Sequence, residues 1–106
     1  MSVLEWDELA LRRLYSIKAK AFSMVPEKFK KLAKSKMPEV EVQVLQQAEL
    51  LAKKSGREKV VEEDLIEALK WVVPFDKRSY LIKVLSMANV DVSKYFDKYD
   101  LYDFNK

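Results

Sequence analysis

The shortage of chain-reversing residues constrains this sequence more than any motif does. One glycine, Gly56, and three prolines, Pro26, Pro38 and Pro74, are all that punctuate its 106 residues. An all-β domain needs a tight turn between most strands, whereas a few helices need only a few reversals. The chain therefore reads as all-α, about five helices in one compact domain spanning residues 1–106, with the glycine and prolines as its joints. Apolar residues make up 49% of it, enough to build a core rather than remain disordered.

Ser2 followed three residues later by Glu5 is a capping-box pattern, in which each side chain satisfies a backbone N–H of the helix start. Trp6, Ala10, Leu14, Ile17 and Ala21 then recur at three- or four-residue steps, which predicts a helix over about residues 3–22. Pro26 suits the first position of a second helix, whose stripe is Phe29, Leu32, Ala33 and Met37. Pro38 removes a helical hydrogen bond and clashes with the preceding turn, so a break or sharp kink is expected there. A third helix, carrying Val40, Val44, Ala48 and Leu51 on one face, runs to Gly56, the left-handed residue that ends it. Val60-Val61 is a short extended bridge. Glu62, Glu63 and Asp64 then place negative charge at the N-terminus of a helix that Pro74 closes. Asp76 is positioned to cap a last helix ending near Asn89. From Asp91 to residue 106 the chain is an acidic and aromatic strap, its first part a turn or two of helix capped by Asp91.

Composition also removes chemistries. With no cysteine there is no disulfide or thiolate site, and with no histidine the common zinc sites and imidazole general base are absent too. Glu62, Glu63, Asp64 and Glu67 are explained by their place at a helix start, and consecutive helical carboxylates point in different directions. The expectation is therefore no enzyme, no catalytic residue, no cofactor and no metal. The beginning Met1-Ser2-Val3-Leu4-Glu5-Trp6-Asp7 lacks the apolar core of a signal peptide, and no apolar run nears the ~20 residues of a membrane span. The expected location is the cytoplasm, with no membrane partner.

Net charge is only +3, yet the distribution is uneven. Between Arg12 and Lys36 nine cations stand against one acid, Glu27. One reading is a surface for nucleic-acid phosphates; the other is the solvated side of two helices. Trp6 and Trp71 sit on helical faces with apolar neighbours and are expected in the core. The tail aromatics Tyr95, Phe96, Tyr99, Tyr102 and Phe104 are candidates either for packing on their own domain or for binding a partner.

Residues 51–68 run Leu-Ala-Lys-Lys-Ser-Gly-Arg-Glu-Lys-Val-Val-Glu-Glu-Asp-Leu-Ile-Glu-Ala. The stretch resembles the end of the central helix, second loop and last helix of an archaeal-type histone fold. Gly56-Arg57, the Val60 bridge and the acidic helix start carry the likeness. The resemblance implies that Arg57 pairs with Asp64 as a clamp of the loop onto the last helix, that the fold dimerises, and that Arg57 and Lys59 reach duplex DNA. Lys59 departs from the family's frequent threonine, and Pro38 falls inside what would be its long central helix. Pro38, Ala52, Gly56, Val60 and Val61 are also similar to the small C-terminal helical domain of light-independent protochlorophyllide reductase subunits.

The function expected from all this is a non-enzymatic, histone-fold-like binding module, self-associating or bound to a protein partner. It would contact duplex backbone phosphates through Arg12, Arg13, Lys30, Lys31, Lys34, Arg57 and Lys59. The alternative is a protein–protein adaptor or accessory subunit without nucleic acid, working through its aromatic tail.

Overall fold

The computed structural model describes residues 4–98 and 100. Its elements are β1 (Glu5–Trp6), α1 (Glu8–Ser23), α2 (Lys30–Lys54), β2 (Lys59–Val60), α3 (Glu62–Val72) and α4 (Arg78–Met87), with short 3-10 turns at Glu27–Phe29, Phe75–Lys77 and Val92–Lys94. The chain is thus mainly helical, with four α-helices among the described residues where five were expected.

The difference lies at Pro38. Residues 30–54 form one continuous helix with the proline inside it. Pro38 costs its helix an N–H and frees the carbonyl of Lys34, but both residues are exposed, so water can satisfy that carbonyl. The N-terminus also differs from expectation. Glu5 lies in β1 rather than in a capping box, and Asp7 is the residue that caps α1, its carboxylate accepting the Leu9 N–H at 3.2 Å. β1 pairs in parallel with β2, Glu5 opposite Lys59 and Trp6 opposite Val60, and the Asp7 N–H reaches the Val60 carbonyl at 2.8 Å. This two-residue ribbon ties the start of the chain to the α2–α3 loop. Asp76 does not cap α4. It lies within the 3-10 turn, and α4 begins at Arg78 without a side-chain cap.

Two helices end by the same device. Gly56 has φ +74° and Asn89 φ +64°, the left-handed conformation that Gly adopts freely and Asn tolerates. In each case the following N–H reaches back to the helix, Arg57 to the Ala52 carbonyl and Val90 to the Leu85 carbonyl, both at 3.0 Å.

The core forms where the second half of α2 meets α3 and α4. Ala48 and Ala52 are fully buried, and their small side chains let α3 approach closely enough for Leu65 and Ile66 to be enclosed. Ile82, Val84 and Leu85 close this core from α4, and Leu14 and Ile17 from α1. Trp6 packs partly buried against it. Trp71 does not: it is 76% exposed, because α3 turns Leu65, Ala68 and Leu69 inward and leaves position 71 on the outer side.

Candidate functional site

The first half of α2 has no covering layer. No residue of α2 before Val44 is buried, and Ala33, Met37, Val40 and Val44 form a stripe at helical spacing along it. This stripe faces Leu14, Ile17 and Ala21 of α1 and Leu81 and Val84 of α4 across an open cleft of about 350 Å³. Leu69 of α3 and Val73 just after it also line the cleft, as does Val25 between α1 and α2. The lining is almost wholly aliphatic. Its charged members are Lys18, Lys36 and Glu41, of which Lys18 and Glu41 form an ion pair at 3.0 Å that bridges α1 to α2. Tyr80 donates its hydroxyl to the Ala21 carbonyl at 3.0 Å, joining α4 to α1, and burial raises its pKa above the ordinary value. A volume of this size takes a drug-sized molecule or several large side chains of a docked helix.

The corner beside this cleft is strongly basic. Lys28, Lys30, Lys31 and Lys34 occupy the turn before α2 and its first turns, and Lys20 lies in the last turn of α1. Helix starts normally carry acids, because their unpaired N–H groups make a partial positive charge. Here the first turn of α2 holds no acid and no side-chain cap. Lys30 is partly occupied, 3.7 Å from Glu27 and over the Phe22 ring at 5.2 Å. Lys31 and Lys34 have no ion pair among the described residues. An anionic group would meet uncompensated charge there.

The seven cations proposed from sequence as one phosphate-binding set do not form one surface. Lys30, Lys31 and Lys34 lie at the start of α2, while Arg57 and Lys59 lie beyond its end, about 36 Å away at 1.5 Å per residue. Arg12 pairs with Glu8 on the α1 surface at 2.6 Å. Arg13 is engaged inside the fold: Nε donates to Glu62 at 3.0 Å and Nη1 to the Ala88 carbonyl at 3.1 Å, joining α1 to α3 and to the end of α4. Lys59 stands 4.0 Å from Glu5 across the ribbon.

Arg57 Nη2 donates to Asp64 Oδ1, while the other oxygen of Asp64 accepts the Val61 N–H at 3.0 Å. Asp64 is 2% exposed, and a buried carboxylate needs such partners. Two further acids of α3 are also engaged, while Glu63 is exposed. Glu62 takes Arg13 and the Tyr95 hydroxyl (2.9 Å), and Glu67 stands 3.6 Å from Lys70. No group of three or more such side chains among the described residues could hold a metal ion.

Tyr95 and Phe96, offered by sequence as partner-binding residues, are occupied by their own domain. Phe96 is 5% exposed, with Lys70 over its ring at 5.1 Å, and Lys70 Nζ donates to the Tyr95 carbonyl at 2.6 Å. The Tyr95 hydroxyl has its pKa raised well above the ordinary value, first by burial and then by Glu62. Tyr99, Tyr102 and Phe104 lie outside the described residues. Asp91 caps the turn Val92–Lys94 through the Ser93 N–H at 3.2 Å.

The cleft was not foreseen from sequence: its stripe was divided between two helices at Pro38, and Phe29 and Leu32, placed with Ala33 and Met37, are exposed. Amphipathic spacing shows that Ala33 and Met37 want cover; it does not show that the chain supplies too little. Comparison with protein-family models, curated proteins and solved structures returned no match. No helix among the described residues is long and apolar enough to cross a membrane.

Proposed function

We propose that this chain is a non-enzymatic helical binding module whose cleft receives the apolar face of an amphipathic partner helix with acidic flanks. The observation that carries the reading is the incompletely covered stripe Ala33, Met37 and Val40, leading to the buried Val44, opposite apolar residues of α1 and α4. An apolar crevice of about 350 Å³ left in water forfeits hydrophobic stabilisation that a partner's side chains would restore. The cations at its corner without an ion pair among the described residues, Lys28, Lys31 and Lys34, select acids at the partner's flanks and steer its approach.

The test uses a synthetic 18-residue amphipathic peptide with leucines along one face and glutamates beside them, followed by NMR chemical shifts of the labelled full chain. Perturbations should gather at Ala33, Met37, Val40 and Leu81. A peptide with lysines in place of the glutamates should bind about tenfold more weakly or worse, and Val40→Lys should abolish binding without unfolding the chain. Equal binding of both peptides, or shifts scattered away from the cleft, would sink the reading.

A second reading has its own support in Lys31 and Lys34, cations without an ion pair at a helix start without acids. Together with the histone-like spacing of residues 51–68, they favour contact with duplex DNA through backbone phosphates. Fluorescence anisotropy across a salt series should then show binding that weakens steeply with salt and falls further in Lys31→Ala/Lys34→Ala. Absence of binding at low salt removes DNA and leaves the cleft reading untouched.

A further inference from the structure

A shallow depression between α2 and the end of α3 is lined by Gln43, Gln46, Gln47, Leu50, Trp71 and Val72, none of which lines the cleft. Its chemistry is unlike the rest of the surface. Charged residues make up 35% of the chain, yet residues 42–48 and 71–75 contain none. The acids that bracket the first run are directed elsewhere, Glu41 to Lys18 at 3.0 Å and Glu49 to the Leu4 N–H at 3.1 Å. One turn before Trp71, Glu67 is balanced by Lys70. In the middle of this neutral ground Trp71 stands 76% exposed, beside a Leu50 that is also exposed.

We infer that this face is where a second copy of the chain docks, about a two-fold axis. A two-fold contact sets one surface against itself, so residues near the axis meet their own counterparts. A charge there would face its like, and the lining of this depression carries none. Glutamine is its own complement, because each side-chain amide both donates and accepts. Trp71 and Leu50 supply apolar area at the centre, and a central tryptophan ringed by polar, uncharged groups is the usual anatomy of a binding hot spot. The contact is separate from the cleft and independent of it.

The experiment is the molar mass of the full chain by sedimentation equilibrium over a wide concentration range, for the wild type and three variants. The wild type should dimerise reversibly. Trp71→Ser should weaken the dimer about tenfold or more, while the melting temperature at concentrations where both proteins are monomeric stays unchanged, because the side chain is exposed in the single chain. Gln46→Glu and Gln46→Lys should each be monomeric when alone, and a mixture of the two should regain the dimer mass. Tyr15→Ser, an exposed aromatic on α1, should leave the mass unchanged. A wild type that stays monomeric at every concentration overturns the inference. So does a dimer that Trp71→Ser and the Gln46 charges leave intact, or a mixture of the charged variants that fails to associate.

Discussion

The two halves of α2 have the same secondary structure and opposite circumstances. From Val44 to Lys54 the helix is clasped: Val44, Ala48 and Ala52 are buried against α3, and the ribbon and the Arg57–Asp64 pair fasten the loop that follows. From Lys30 to Gln43 the helix has an apolar stripe, a proline and a lysine-rich start, with no buried residue. Helical pattern alone treats the halves alike. What separates them is whether another element arrives on the apolar side, and only α3 does so fully. The clasped half therefore belongs to the stability of the domain, and the open half is available for function, since regions with few buried apolar contacts can move or rearrange at little cost.

The largest effect expected from this contrast compares one core substitution on each side of it. Leu65→Ala removes a fully buried side chain packed in the clasped region and should cost about 3–4 kcal/mol in urea unfolding. Met37→Ala, on the cleft stripe, should cost less than about 1 kcal/mol because its side chain is already partly in water. Equal losses would show that the open half is as firmly packed as the other.

Asp64→Ala comes next. It leaves the Val61 N–H and the guanidinium of Arg57 without their buried acceptor, and about 2–3 kcal/mol should be lost. Arg57→Ala leaves the same carboxylate uncompensated and should cost somewhat less, because Val61 still donates to it. A double mutant no worse than Asp64→Ala alone would show the two residues acting as one unit.

Pro38→Ala has the opposite sign. A proline within a helix is unfavourable by up to about 3 kcal/mol relative to alanine. In a half that is loosely attached only part of that is recovered, so a gain of about 1–2 kcal/mol is expected, read from the urea midpoint at constant slope. Hydrogen exchange should slow for residues 30–43 and stay unchanged for 44–54. A loss of stability would mean that the proline is fitted to a local bend on which the fold depends.

How far the sequence displayed this arrangement depends on the range of the interactions involved. Gly56 and Asn89 end their helices through backbone conformations that each residue favours by itself, so those boundaries are legible from composition. The acidic start of α3 is legible for the same reason. Trp71 is not: it lies beside the inward-facing residues of an amphipathic helix, and only the placement of α2 decides that position 71 stays outside. Glu5 satisfies a capping pattern with Ser2, yet Asp7 has one of its own, and the contest is decided by pairing with Lys59 and Val60 more than fifty residues away. Arg13 looks like its neighbour Arg12 in sequence, one side chain among many cations. Burial against Glu62 and Ala88 assigns them different work. The cleft is the least legible feature of all, because it consists of what the remaining elements do not cover.

The smallest expected effect tests whether the segment after α4 belongs to the clasped part. Tyr95 lies over the start of α3 with its hydroxyl on Glu62, the carboxylate that also holds Arg13. Tyr95→Phe removes one hydrogen bond to a charged acceptor and should cost about 1 kcal/mol near neutral pH. The pH dependence is more diagnostic. Burial and the carboxylates of Glu62, Glu63 and Glu67 raise the folded pKa of Tyr95 above the unfolded value of 10.0. The folded state therefore holds this proton more tightly than the unfolded state does. The associated stability is fully present below pH 10 and is lost as pH rises above it toward the folded pKa. Wild-type unfolding should weaken between about pH 10 and 12 more steeply than that of Tyr95→Phe, which lacks the ionisable group. Parallel curves for the two proteins would mean that Tyr95 does not hold this contact in solution, and the clasped region would then end at Val90.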